Sequence, residues 1–430
     1  ALALAAQDEG LTIVAWRDVP VRSRHLGSVA TQSQPHHAQA FLTWPDAAAS
    51  LTEPALRLRL LRVRRAAVGI AAADIAAADI AAADIAAGAD RTESDERAGV
   101  DPMYIASLCH RTIVYKGLVV PGRLPLYFVD LGDRRCESVF IVVHQRFSTN
   151  TAPAWRRAHP FRGIAHNGEI NTRRGNQAWM RAREPLLPAA FPTPVLEPDG
   201  SDSSDLDNAF ELLLASGREP VHAMRMLMPP AWQEDSTKAP ALRAFFDWHG
   251  GLMEPWDGPA LVIFGDGRRI GAALDRNGLR PARWVLTHDG LLVLASEAGV
   301  IDLPAVSVAR SERLEPGGIL ELNLATGKLS ETTAIDQRLA GMADWAVALQ
   351  GARRHIPDTT LQLHPSRPNA DLERLQRGFG YTEEDLALLL TPMARTGKEP
   401  VGAMGDDTPL AVLSERPQVL PHYFKQHFAQ

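Results

Sequence analysis

The chain has 430 residues, 45% of them hydrophobic and 22% charged, which is more than one ordinary core needs and predicts two or more domains. Its 45 Lys and Arg against 51 Asp and Glu leave a formal net charge of -6, which argues against a general nucleic-acid binder. Two cysteines, Cys109 and Cys136, exclude a disulfide scaffold and any cysteine-rich zinc or iron–sulfur site built by this chain alone, and such sparing use suits a reducing cytosol.

No uninterrupted apolar run approaches the roughly 18–20 residues of a membrane helix, so no membrane partner is expected. The first residues carry no initiator Met and no signal-peptide pattern, and they run directly into a strand-like stretch at 11–16. With an equally abrupt end at 424–430, the sequence reads as cut from something longer.

Three near-copies of Ala-Ala-Ala-Asp-Ile end at Ile75, Ile80 and Ile85. Alanine favours helix. At about 100° per residue, however, a five-residue period turns each Ile by about 140° from the last, so no buried stripe forms. Strand alternation fails too, because an odd period swaps faces. Residues 71–97 are therefore expected to be an inserted, mostly exposed low-complexity segment, helical in part.

Strands dominate after it. Residues 138–148 form an apolar run with a polar end, which predicts a buried strand. The pairs 260–264 and 268–274, 284–287 and 291–295, and 319–324 and 328–330 each flank a glycine-containing turn and read as hairpins. Helical periodicity marks 206–215, 221–228 and 242–248. Hairpins mixed with separate helices predict an α+β fold with antiparallel sheets. From about Leu339 the pattern changes to helix and loop, with helices expected at 372–379 and 382–390, Thr382 as N-cap and Asp385 at the capping-box position. A domain boundary is expected between 340 and 370.

Three clusters can carry chemistry. His144-Gln145-Arg146-Phe147-Ser148-Thr149 ends the apolar run, and the Arg146 guanidinium offers a planar fork suited to a carboxylate or to an ordinary surface ion pair. His166-Asn167-Gly168-Glu169 contains Asn-Gly, which is either a tight hairpin turn or a pair of donors for an oxyanion. Gly200-Ser201-Asp202-Ser203 caps the helix that follows it, or lets Asp202 hold a substrate ammonium. Elsewhere, residues 265–271 miss the dinucleotide fingerprint by one position, and His36-His37 sits in a loop. Cys109 and His110 point opposite ways if they share a strand, so they form no dyad there.

In this order and at these spacings, the clusters resemble the glutamine amidotransferase domain of the glutamate synthase large subunit, the class with an N-terminal cysteine nucleophile. The resemblance spans nearly the whole chain and includes Arg174-Gly175-Asn176, Met180-Arg181-Ala182-Arg183-Glu184, Asp275-Arg276-Asn277-Gly278-Leu279-Arg280-Pro281 and Gly405-Asp406-Asp407-Thr408-Pro409-Leu410. It implies a four-layer αββα sandwich over residues 1–345, with 346–430 as linker and start of the family's central domain. Carried over position by position, Arg146 binds the α-carboxylate of glutamine with Thr149 beside it. Asp202 holds the α-ammonium, and Asn167 and Gly168 form the oxyanion hole. The whole family enzyme is an oxidoreductase acting on CH–NH2 donors; it uses FMN and an iron–sulfur cluster, takes electrons from a small subunit or ferredoxin, and makes glutamate from glutamine and 2-oxoglutarate.

One family element has no counterpart. The nucleophile is the first residue of the mature family chain, and residue 1 here is Ala. Cys109 and Cys136 lack a free α-amine and lie outside the motif; both are expected to be buried small hydrophobes. The expectation is an N-terminally truncated, cytoplasmic piece of glutamate synthase, inactive by itself and holding no cofactor. The alternative is an amidotransferase-like binding or scaffold protein that lost its nucleophile and kept the pocket.

Overall fold

The computed structural model of the chain describes residues 1–44, 51–86, 103–145, 153–197, 200–354, 369–400, 411–413, 415, 417–418 and 420–423. They divide into two compact units, Ala1–Ala352 and Arg353–Ala429. In the first, α1 (Leu2–Asp8), β1 (Thr12–Asp18), α2 (Ser28–Gln32), β2 (Ala38–Thr43), α3 (Glu53–Ala86) and α4 (Leu124–Tyr127) precede β3 (Ile164–Gly168). Next come α5 (Arg173–Arg183), α6 (Asp202–Ala215), α7 (Pro220–Leu227) and α8 (Pro240–Gly250). Strands β4 (Ala260–Gly265), β5 (Arg269–Leu274), β6 (Arg283–Thr287), β7 (Leu292–Ala295), β8 (Val308–Arg313), β9 (Ile319–Asn323) and β10 (Lys328–Glu331) follow, then α9 (Thr332–Ala340) and α10 (Trp345–Ala352).

The three hairpins read from the turns form as antiparallel pairs β4–β5, β6–β7 and β9–β10. A five-stranded antiparallel sheet runs in the order β10-β9-β5-β4-β3, and a three-stranded sheet in the order β7-β6-β8. Strand alternation sorts their side chains between two cores. Ile164, Ala260, Val262, Phe264, Ala273 and Ile319 join the core made with Leu206, Phe210, Met224 and Phe245 of α6, α7 and α8. Leu261, Ala272, Leu274 and Leu320 point the other way, onto Trp284 and its neighbours in the three-stranded sheet. Helices, sheet and second sheet thus stack as three layers, and the fold is α+β with antiparallel sheets.

Local sequence explains where the helices begin. Pro220 and Pro240 open α7 and α8, where a missing N–H costs nothing. Ser201 and Ser204 cap α6 reciprocally. In the second unit, Thr382 and Asp385 exchange backbone-to-side-chain hydrogen bonds of 2.8 and 3.1 Å, as the capping box requires. Helical turns follow from residue 383 to 390, after α11 (Asn369–Gly378) and before α12 (Thr391–Thr396).

Two expectations need correction. Residues 138–145 form no strand. Val139, Ile141 and Val143 are 84%, 77% and 74% exposed and alternate with half-buried Phe140 and Val142, so the period-two pattern is present. No strand among the described residues pairs with them, and an unpaired segment is merely extended. Both cysteines are exposed rather than buried, because the segments around them are loop and not core strand. The Ala-Asp-Ile repeats, expected to be helical in part, do continue a long helix as far as Ala86, and residues 87–97 lie outside the described residues. Leu56, Leu60, Val63 and Ala67 recur at helical spacing and bury one stripe of α3, whereas residues 72–76 are exposed, as the five-residue period predicts.

Candidate functional site

Asn167-Gly168 is not a hairpin turn. It closes β3, an edge strand whose residues 164–168 pair with 264–260 of β4. Glu169 N–H donates to the Pro259 carbonyl (3.2 Å) and Gly265 N–H to the Gly163 carbonyl (2.9 Å). In an antiparallel ladder, bonded and non-bonded positions alternate. Odd-numbered residues of β3 therefore bond to β4, and the N–H of Gly168 points away from β4, to the edge that no strand among the described residues covers. Asn167 is half-buried and lies on the face opposite His166.

Asp202 stands in the first turn of α6, where the helix dipole favours a negative charge. Its Oδ2 accepts the Ile170 N–H at 3.1 Å, two residues beyond Gly168, and its Oδ1 accepts the Ser203 N–H at 2.7 Å. The carboxylate stays 17% exposed, so a ligand can reach it. Asn167, Gly168 and Asp202 are thus drawn to one end of β3. Arg146 and Thr149 lie outside the described residues.

Beneath Asp202 is a cluster to which the sequence assigned no role. Ser203 Oγ lies 2.6 Å from His166 Nε2, 3.0 Å from His159 Nε2 and 3.2 Å from Asp202 Oδ1. The His159 ring also stacks on His144, centroids 4.3 Å apart. Burial pushes the His166 imidazole below its ordinary pKa; Asp202 opposes the shift and Arg280 adds to it. His159 is driven well below, first by burial and then by His166, His144 and Lys116. Lys116 itself is pushed down to about 7, chiefly by burial, with Nζ donating to Tyr104 Oη and the Arg156 carbonyl at 2.8 Å each. The group is not a Ser-His-Asp triad: serine and aspartate both approach Nε2 of His166, at 2.6 and 4.0 Å, and Nδ1 has no partner among the described residues. Separations of 37 and 44 residues hide these contacts from any local pattern.

Other candidates fall away. His110 Nε2 accepts from Arg111 Nε (2.7 Å) and approaches Glu53, so it serves an ion pair beside the exposed Cys109. Residues 265–267 turn the β4–β5 hairpin. An open cleft bordered by Arg57, Arg64, Arg162 and Cys109 includes neither Asn167, Gly168 nor Asp202, and its arginines are matched by Glu197, Asp207, Glu211 and Asp266. Among the described residues no group of three His, Cys, Asp or Glu is placed to hold a metal, and no helix is long and apolar enough to cross a membrane.

The sequence profile of the class-II glutamine amidotransferases matches residues 1–347, and that of the glutamate synthase central domain matches 374–430. The chain is 40% identical over 437 residues to the glutamate synthase (NADPH) large chain of Bacillus subtilis (strain 168), covering 99% of this chain and 26% of that protein. It is 40% identical over 433 residues to ferredoxin-dependent glutamate synthase 2 of Synechocystis sp., covering 98% and 26%. The chloroplastic ferredoxin-dependent enzyme of Oryza sativa subsp. japonica is 39% identical, with 98% and 25% covered. The chain thus spans about a quarter of the length of these relatives. Among solved structures, glutamine phosphoribosylpyrophosphate amidotransferase from B. subtilis superposes with a TM-score of 0.26 at 18% identity, over 44% of this chain and 33% of that one.

Proposed function

The chain belongs to the class-II glutamine amidotransferases, as the amidotransferase domain of a glutamate synthase large chain with the start of its central domain, and on that premise we propose that it supplies the glutamine pocket for ammonia release. The observation that supports this reading is local. Asp202 bonds the Ile170 N–H two residues beyond Gly168, at the same end of β3; in this proposal the Gly168 N–H and the Asn167 amide serve a developing oxyanion and the Asp202 carboxylate an ammonium. Arg146, with Thr149 beside it, binds the α-carboxylate in this proposal.

The proposed chemistry runs as follows. A cysteine thiolate, supplied by the family's N-terminal segment, attacks the side-chain amide carbon of glutamine. The carbonyl oxygen gains negative charge and takes hydrogen bonds from Asn167 and Gly168, each donor contributing about 3–4 kcal/mol. Ammonia leaves, and water hydrolyses the glutamyl thioester to glutamate. Cys109 and Cys136 carry no free α-amine, so in this reading the 430-residue chain alone recognises glutamine without hydrolysing it. In the whole enzyme the ammonia goes to reductive amination of 2-oxoglutarate, with electrons from a small subunit or ferredoxin, in a reducing cytosol.

Two thiols cannot ligate an iron–sulfur cluster of the three- or four-cysteine kind, so the cluster does not fit the residues present. FMN belongs with it elsewhere in the enzyme, and the hydrolytic step uses neither. We assign residues 1–345 to the amidotransferase domain, completed by a fourth, helical layer of an αββα sandwich, and 346–430 to the linker and central domain. Calorimetric titration with L-glutamine tests the pocket. Binding that Asp202→Ala abolishes supports it; no binding by the wild-type chain contradicts it.

A further inference from the structure

The Ser203 hydroxyl has one proton and two lone pairs, and three polar atoms surround it: His166 Nε2, His159 Nε2 and Asp202 Oδ1. A carboxylate only accepts. The one assignment that satisfies every contact sends the hydroxyl proton to Asp202 and lets both lone pairs accept an imidazole Nε2–H. Each histidine then keeps a bare lone pair on Nδ1. Those two Nδ1 atoms are indeed buried without a partner among the described residues. The reverse assignment, with the hydroxyl donating to one ring, leaves two lone pairs facing each other between Ser203 and Asp202. It also buries an Nδ1–H with nothing to accept it, the costlier kind of orphan.

We propose that Ser203 is a positioning residue that fixes the Asp202 carboxylate for the amino group of the ligand, and that it is itself fixed by His159 and His166 acting as Nε2–H donors. This deepens, and rests on, the glutamine-pocket reading. Three parts of the chain meet at one oxygen. His166 comes from β3, which also carries Asn167 and Gly168. His159 comes from the segment before it, and Ser203 and Asp202 from the first turn of α6. The hydroxyl therefore sets the distance between the amino-binding and oxyanion-binding ends of the pocket. Burial, which keeps both imidazoles neutral, preserves the donor pattern.

The test titrates the 430-residue chain, wild type, Ser203→Ala and Ser203→Thr, with L-glutamine and with its deamino analogue 5-amino-5-oxopentanoate. Ser203→Ala is expected to weaken L-glutamine about tenfold, the loss typical of one hydrogen bond to a charged group. The analogue, which presents no ammonium to Asp202, should change less than about twofold, as expected of a site not coupled to the substitution. Ser203→Thr keeps the hydroxyl and should restore discrimination. Nitrogen-15 chemical shifts of His159 and His166 should report Nε2–H tautomers in the wild type. Equal loss for both ligands, unchanged glutamine affinity, or an Nδ1–H tautomer in either ring would overturn the positioning role while leaving the pocket intact. A wild-type chain that binds neither ligand would overturn the pocket reading and this role with it.

Discussion

The backbone of Gly168 packs so tightly on Pro259 that a Cβ at residue 168 would lie 1.8 Å from the Pro259 carbonyl oxygen. Its φ of 124° is also one that side chains rarely adopt. The glycine is thus required by the protein itself, whatever the ligand. Gly168→Ala should destabilise the fold by more than about 3 kcal/mol, backbone strain and clash together, read as a fall in the urea midpoint. A wild-type midpoint would mean that β3 does not press on residue 259 in solution.

His222 and His249 form a second buried pair whose tautomers are set by geometry. His249 Nδ1 faces the Phe245 carbonyl at 2.7 Å and so carries a proton; its Nε2 then accepts from His222 Nε2–H at 2.8 Å. Burial pushes His222 down to about 3, with His249 and Arg218 adding to it, and His249 down to about 4 against the Phe245 bond. Both rings stay neutral in the fold, whereas the unfolded chain takes up protons below about pH 6.5. Stability should be full above that pH and fall toward pH 4, by up to about 1.4 kcal/mol per pH unit for each ring. His222→Gln keeps a donor and removes one titration, so it should flatten the slope. An unchanged slope would show that the loss arises elsewhere.

Arg225, 1% exposed, grips Asp336 through Nε (2.9 Å) and Nη2 (3.1 Å) and donates Nη1–H to the Gly317 carbonyl. Asp336→Ala strands a buried cation and should cost about 3–5 kcal/mol; Arg225→Met with Asp336→Leu should recover most of it. A double variant no more stable than the single one would contradict this account.

Residues 72–76 of α3 are exposed, and the five-residue period of the repeats offers no stripe to bury. Replacing residues 71–97 by a short Gly-Ser linker should leave the melting temperature within about 2 °C, a change of well under 1 kcal/mol. Limited proteolysis of the intact chain should cut in this stretch first. Strong amide protection there, or a large drop on replacement, would show that the repeats pack against something.

The sequence was legible where one period or one turn decides the outcome. Glycine turns located β4–β5, β6–β7 and β9–β10, and Thr382 with Asp385 located a helix start. The helix at Glu53–Ala86 was missed because its Leu56-Leu60-Val63-Ala67 stripe runs into repeats that carry none. The run at 138–145 misled because alternation records which side chains would be buried, not whether a neighbouring strand is there to bond. Asn167, Gly168 and Asp202 were singled out through motif order. The Ser203 link to His159 and His166 was not, since it depends on where β3 meets α6.

The most direct measurement compares ammonia release from glutamine by chain 1–430 and by a version extended upstream to begin with the family's cysteine. The account predicts no release from residues 1–430 and release from the longer chain, lost when its first Cys becomes Ser. Release by the 430-residue chain that disappears in Cys109→Ser or Cys136→Ser would contradict it and assign the chemistry to an internal thiol.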